Sequence, residues 1–225
     1  MDNLLTLQNI SKSYPFGAAQ IQVLHQLNLS ISQGSITAVV GSSGSGKSTL
    51  LHIMAGIDLP DKGTILFHNE DINQYNDKKK SDFRLKHFGF IFQSYHLIPT
   101  LSIYDNVILP VLAAKRKSDP REIEQILEQL GLADRMFHFP HQLSGGEQQR
   151  AAIARAMINR PEIIFADEPT GNLDRFNSRL VMDLLTECCH KNGQTLVFVT
   201  HDLALQRYAN HVIHLEKEKS DDEAE

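Results

Sequence analysis

The sequence predicts an α/β fold built on a mainly parallel sheet, and three observations predict it. A strand-like run, Ser35-Ile36-Thr37-Ala38-Val39-Val40, passes straight into a glycine-rich turn and then a helical stretch. Two later apolar runs, Ile163-Ile164-Phe165-Ala166 and Thr195-Leu196-Val197-Phe198-Val199, are short and continuous, the pattern of strands buried on both faces. Between them Leu180, Val181, Leu184, Leu185 and Cys188 form a stripe at helical spacing, and strand, helix, strand implies parallel pairing. At 225 residues, 41% of them hydrophobic, the chain can bury the core such a domain needs.

Taken in order, the elements begin with short apolar runs such as Leu5-Thr6-Leu7 and Leu27-Asn28-Leu29, which read as small strands. After the glycine-rich turn a helix is expected over residues 47–55, ended by Gly56. Residues 88–92 form another short apolar run. Helical patterning then takes over. Ser118-Asp119-Pro120 resembles a capped helix start, with Ile123, Ile126, Leu127 and Leu130 on one face and Gly131 as the stop. Residues from about 94 to 158 are therefore read as a helical subdomain inserted into a single domain spanning 1–215. From Glu216 onward the residues are almost all charged and can bury nothing, so 216–225 read as a frayed acidic tail.

A formal charge of -5 and the lack of a long basic block exclude a nucleic-acid backbone as the main partner. The short clusters Lys78-Lys79-Lys80 and Lys115-Arg116-Lys117 read as solvated helix faces. The two cysteines, Cys188 and Cys189, are neighbours that could close no useful loop, which fits a reducing cytosol. The start lacks the basic flank and apolar stretch of a signal peptide, and no segment reaches the roughly 20 apolar residues of a bilayer span. Any span is expected on another chain. His138 and His141 flank Phe139-Pro140 with no cysteine or carboxylate to complete a metal set, and they are read as non-ligands.

The chemistry is carried first by Gly41-Ser42-Ser43-Gly44-Ser45-Gly46-Lys47-Ser48, which matches GxxxxGK[ST] between an expected strand and an expected helix. Glycines let backbone N–H groups converge on phosphate oxygens while the helix points its positive end at them. Lys47 is expected to reach the β and γ phosphates and Ser48 to ligate Mg²⁺, with Thr49 completing the nucleotide contacts. Asp167 and Glu168 follow the apolar run at 163–166, at the strand end where ligands of parallel sheets collect. Asp167 is expected to hold Mg²⁺ and Glu168 to polarise the attacking water as general base.

With those motifs in place, Leu143-Ser144-Gly145-Gly146-Glu147-Gln148 resembles the LSGGQ-type signature of ATP-binding cassette (ABC) proteins. The resemblance covers almost the whole chain and supplies an order of motifs that this sequence reproduces. It implies a RecA-like phosphate-loop NTPase core with an N-terminal antiparallel β subdomain and the inserted helical one, binding ATP with Mg²⁺. It implies Tyr14 as the adenine-stacking aromatic. Gln93 would touch Mg²⁺ and the lytic water at the hinge into the helical subdomain. His201 would hold the γ phosphate and orient the water and Glu168, and Asp174, in Gly171-Asn172-Leu173-Asp174, would signal between sites. Ser144, Gly145 and Gly146 precede a helix expected over residues 147–159, whose N-terminal N–H groups would bind the ATP held by a second copy of the chain. Two copies facing head to tail then bury two nucleotides.

The single copy of each motif and the lack of a long heptad insertion separate the chain from tandem ribosome-acting and coiled-coil members of the family. The wording around 90–99, 104–110 and 167–174 resembles the bacterial lipoprotein-release and macrolide-export branch, which also includes ATPases serving antimicrobial-peptide resistance and cell division. That resemblance implies a motor on the cytoplasmic side of the inner membrane, peripheral through an integral membrane permease. Related subunits usually turn through a closing hairpin after the strand at 211–215, where this chain has its charged tail. Tyr95, Leu97 and Ile98 could present an apolar patch to a partner helix or fill the subdomain core. A non-transport regulatory ATPase acting on a membrane partner is the alternative; a GTPase lacks its Asn-Lys-x-Asp motif here.

Overall fold

The computed structural model describes residues 3–17 and 19–216. Two long strands open the chain, β1 (Asn3–Phe16) and β2 (Ala19–Ser32), paired antiparallel. β1 also pairs with β4 (Lys62–Phe67), and β4 with the short β5 (Glu70–Asp71), giving an antiparallel sheet ordered β2-β1-β4-β5. The small separate strands expected here are thus one pair of 14-residue strands. The ladder shifts register between Leu7 and Ile10 and again beside Lys12, and Asn9 and Gln26 sit at φ of 52° and 43°. These bulges break the apolar alternation while the pairing continues, so the pattern looks shorter than the strand.

The second sheet is wholly parallel and is ordered β6-β7-β8-β3-β9, with β3 (Ile36–Val40), β6 (Phe88–Ile91), β7 (Ile163–Asp167), β8 (Thr195–Thr200) and β9 (His211–His214). Period two sorts its side chains. Ile36, Ala38, Val40, Ile164, Ala166, Leu196 and Phe198 join the helices in one core cluster, while Val39, Ile163, Phe165, Val197 and Val199 join the antiparallel sheet in the other. Helix α1 (Lys47–Met54) packs into that second cluster through Leu50, Leu51, Ile53 and Met54. Phe165 and Phe198 are fully buried on opposite faces, each contributing about 1.5–3 kcal/mol from apolar burial.

Helix α2 (Asp77–His87) leads directly into β6. Between β6 and β7 come α3 (Ile103–Ala113), α4 (Pro120–Gln129) and α5 (Gly145–Met157), and α6 (Arg175–Asn192) joins β7 to β8. α4 starts as its sequence predicts. Asp119 accepts from Arg121 N–H, Pro120 opens the first turn, Ile123 and Leu127 are buried, and Gly131 follows at φ 65°. α5 starts two residues earlier than expected, so Gly145 and Gly146 lie in its first turn instead of before it. The cause is a capping box: Ser144 Oγ accepts from Glu147 N–H and the Glu147 carboxylate accepts from Ser144 N–H. On α6 the buried face is Val181, Met182, Leu185, Cys188 and Cys189, and Leu180 points outward at 38% exposure. Both thiols are free, and burial pushes that of Cys189 up to about 12.

Leu215 N–H donates to Val40 O just after β9, which brings the end of the described chain beside the glycine-rich turn. Residues 217–225, with most of the acidic tail and any closing hairpin, lie outside the described residues.

Candidate functional site

The turn after β3 is shaped by what a side chain there would hit. A Cβ on Gly41 would run into the Leu215 carbonyl and Ser45 Oγ, and one on Gly46 would lie 2.7 Å from Val23 Cγ1 with the backbone at φ 89°. Only glycine fits both places. Gly46 caps α1, and Lys47, its first residue, is buried with Nζ donating to Ser42 O at 2.8 Å. The ammonium therefore folds back over its own loop. The Ser45 hydroxyl is buried and has no hydrogen-bond partner among the described residues, an orphan that a bound oxyanion would satisfy.

One residue further along α1, Ser48 Oγ donates to Asp167 Oδ1 at 2.9 Å, and His52 Nε2 lies 3.8 Å from Asp167 Oδ2. Burial pushes the Asp167 carboxyl above the usual aspartate value, against the Ser48 hydrogen bond. Glu168 leaves β7 at φ 45°, an uncommon conformation for a side-chain-bearing residue, held by its N–H donating to Val199 O at 3.2 Å. His201 Nδ1 stands 3.0 Å from Glu168 Oε1. A Cβ on Gly171 would lie 2.7 Å from Gln93 Nε2 and 3.1 Å from Glu168 Oε2, so Gln93 and Glu168 meet round that glycine.

Tyr14, Val23, Ser43, Gly44, Gly46, Lys47, Ser48, Thr49, Glu168 and His201 line one cleft of 690 Å³. Tyr14 sits on its rim at 37% exposure, its hydroxyl donating to Asp58 Oδ2 at 2.5 Å and its ring 5.0 Å from Lys12 Nζ. Burial first, and then the Asp58 hydrogen bond, raise the Tyr14 pKa. The structure thus gathers the phosphate loop, Tyr14, the Asp167–Glu168 pair, His201 and Gln93. Ser144, Gly145, Gly146 and Asp174 do not line that cleft. Gly145 lies against Tyr95 and Leu173, and Gly146 against Asn177. Asp174 caps α6, accepting from Phe176 and Asn177 N–H at 2.9 Å each.

Sequence reasoning missed Val23, His52 and Asp58, which no motif marks, and the tether from Asn172 Nδ2 to Gln93 O at 3.0 Å. It also left Tyr95, Leu97 and Ile98 open between core and surface. They divide: Leu97 packs against the helical core, Tyr95 is half-buried, and Ile98 is 41% exposed.

A glycine-cradled loop feeding a helix, a serine and aspartate paired behind it, and a glutamate backed by histidine define a nucleotide-hydrolysing protein of the phosphate-loop class. Residues 24–171 match the ABC transporter family, and the chain belongs to it. It is an ATP-binding ATPase. The chain is 46% identical over 204 residues to the lipoprotein-releasing system ATP-binding protein LolD of Shewanella denitrificans, covering 90% of this chain and 88% of that one. It is 42% identical over 211 residues to the macrolide export ATP-binding/permease protein MacB of Chlorobaculum tepidum, covering 93% of this chain and 32% of that longer protein. The dimeric post-hydrolysis structure of the ATP-binding cassette MJ0796 bound to ADP and Pi superposes with a TM-score of 0.87 at 37% identity, covering 96% of this chain and 97% of that one.

Proposed function

We propose that the chain is the ATP-driven motor of a transporter of the lipoprotein-release and macrolide-export kind, bound to a separate membrane permease on the cytoplasmic side of the inner membrane. No helix among the described residues is long and apolar enough to cross a membrane, and in this reading the permease would supply the span. Two copies close head to tail on ATP, the first turn of α5 in one copy completing the cleft of the other. Absence of those residues from the chain's own cleft supports this reading.

The observation that carries the catalytic assignment is the 3.0 Å contact between Glu168 and His201 at the cleft that Lys47 and Ser48 line. Glu168 is the general base. His201, with Nδ1 at 3.0 Å from that carboxylate, holds it in place. Gln93, beside the base at Gly171, positions the water, and Lys47 neutralises phosphate charge. Ser48 and Asp167 present two hard oxygen donors side by side, a set that fits Mg²⁺, which takes few protein ligands and completes its shell with phosphate and water. When bound there, Mg²⁺ would supply charge neutralisation at the phosphates. Tyr14 offers its ring to the adenine, and Asp174 holds the start of α6 where the two copies would meet.

Glu168→Gln keeps the size and loses the basicity. It is expected to bind ATP as the parent does, to lose about 10²- to 10⁴-fold in turnover, and to accumulate as an ATP-bound dimer. Phosphate release and light scattering read both effects, and parental turnover would remove Glu168 from the role of base. Purification from solubilised membranes with a permease attached is the corresponding test of the partner.

A further inference from the structure

The segment that follows Gln93 lacks helix or strand, yet its backbone is held from three directions. Gln93 O accepts from Asn172 Nδ2 at 3.0 Å. Ile98 N–H donates to Asn106 Oδ1 at 2.7 Å, and Ile98 O accepts from Asn106 Nδ2 at 3.1 Å, with Asn106 wholly buried on α3. Between these anchors Tyr95 and His96 occupy φ of 58° and 49°, two consecutive side-chain-bearing residues in the left-handed region. Such a pair does not hold itself. Arg155 of α5 supplies the restraint, donating from Nη2 to Tyr95 O at 2.7 Å and from Nη1 to His96 O. At the other end of the same helix a Cβ on Gly145 would lie 3.0 Å from the Tyr95 hydroxyl.

We propose that Arg155 is a positioning residue whose guanidinium fork fixes the turn at Tyr95 and His96, so that Gln93 and helix α5 move as one unit. This rests on the reading of Gln93 as a residue that orients water in its own cleft. A fork reaching two successive carbonyls constrains the turn in a way that a lysine, with a single ammonium, does not. The consequence concerns communication between sites. In the head-to-tail pair the first turn of α5 completes the cleft of the partner subunit, while Arg155 ten residues later holds Gln93 of its own cleft. A shift of α5 on nucleotide binding at one cleft is therefore delivered to Gln93 at the other.

The test is steady-state ATP hydrolysis by Arg155→Lys, Gln93→Ala and the double variant of the full chain. Arg155→Lys is expected to melt at the parental temperature, to keep KM within about twofold and to lose about tenfold in kcat. Gln93→Ala lowers kcat as well, and the double variant falls no further than Gln93→Ala alone, because Arg155 acts through Gln93. Additive losses, or parental kcat in Arg155→Lys, overturn the proposal while leaving the role of Gln93 intact. Parental kcat in Gln93→Ala instead strikes the Gln93 assignment itself. Should Arg155→Lys fail to fold, His96→Gly is added, since glycine takes up the left-handed turn unaided: recovery of folding with near-parental kcat is expected, and a folded variant that still loses about tenfold in kcat overturns the proposal.

Discussion

Gly171 shows how one missing methyl group sets the geometry of the reacting groups. Its φ is not among the positive values, so alanine would suit the backbone, and the objection to alanine is spatial. The Cβ would come within 2.7 Å of Gln93 Nε2 and 3.1 Å of Glu168 Oε2, driving apart the two side chains proposed to act on the water. Glu168 has little freedom to yield, because its own backbone at φ 45° is already held by Val199. Gly171→Ala is accordingly expected to lose about 10²-fold in kcat, the cost of roughly an ångström of misplacement, with ATP affinity and melting temperature near the parent's. Equal losses in kcat and ATP binding would show that the glycine serves the nucleotide site as a whole.

Among elements, one carboxylate joins three that are far apart in sequence. Glu162, just before β7, accepts from His68 Nε2 at 2.7 Å and His87 Nδ1 at 2.6 Å, linking the turn after β4 and the end of α2 to the strand that carries Asp167. Phe67 packs edge to face on both histidine rings and on Phe83, which in turn packs edge to face on Phe88. Burial works against the charge on Glu162, but the two histidine hydrogen bonds outweigh it and hold the carboxyl below its usual 4.5. A depressed carboxyl stabilises the fold above its unfolded pKa and loses that contribution as pH falls through the folded one. Glu162→Gln should therefore cost about 1 kcal/mol near neutrality, limited by the solvent that reaches the pair, and should flatten the acid limb of stability below about pH 4.5. Parallel acid limbs in denaturant titrations would show the link to be idle. His68 and Glu162 stand 94 residues apart, and nothing local in the sequence announces them. The phosphate loop, the strands at 36–40, 163–167 and 195–200, and the α4 cap were legible because each is set by residues within one turn or one strand. The bulged hairpin, the early start of α5 and the link from Glu162 to His68 and His87 were not, since register, caps and long-range approach are decided by neighbours in space.

For the whole molecule the decisive relation is between two ends of one protomer. The phosphate loop and Glu168 line one cleft, while Ser144 is exposed at the start of α5, its hydroxyl donating to Glu147 at 2.6 Å and its place outside that cleft. If each cleft is completed by the other copy, damage to the two ends can be separated and recombined. Lys47→Ala removes the phosphate contact of its own cleft. Ser144→Arg removes the α5 cap, costing about 1 kcal/mol, and places a bulky cation where the phosphate of the other copy would sit. Each variant alone is expected to be inactive, because every cleft in its dimer contains one damaged half. Mixed dimers hold one cleft with both halves damaged and one with both intact. Random pairing makes about half of the dimers mixed, so mixing equal amounts should restore up to about a quarter of parental hydrolysis. Native mass spectrometry counts the mixed dimers independently of activity, and mixed dimers that form in that proportion yet hydrolyse no more than either variant alone would show that each protomer completes its own site.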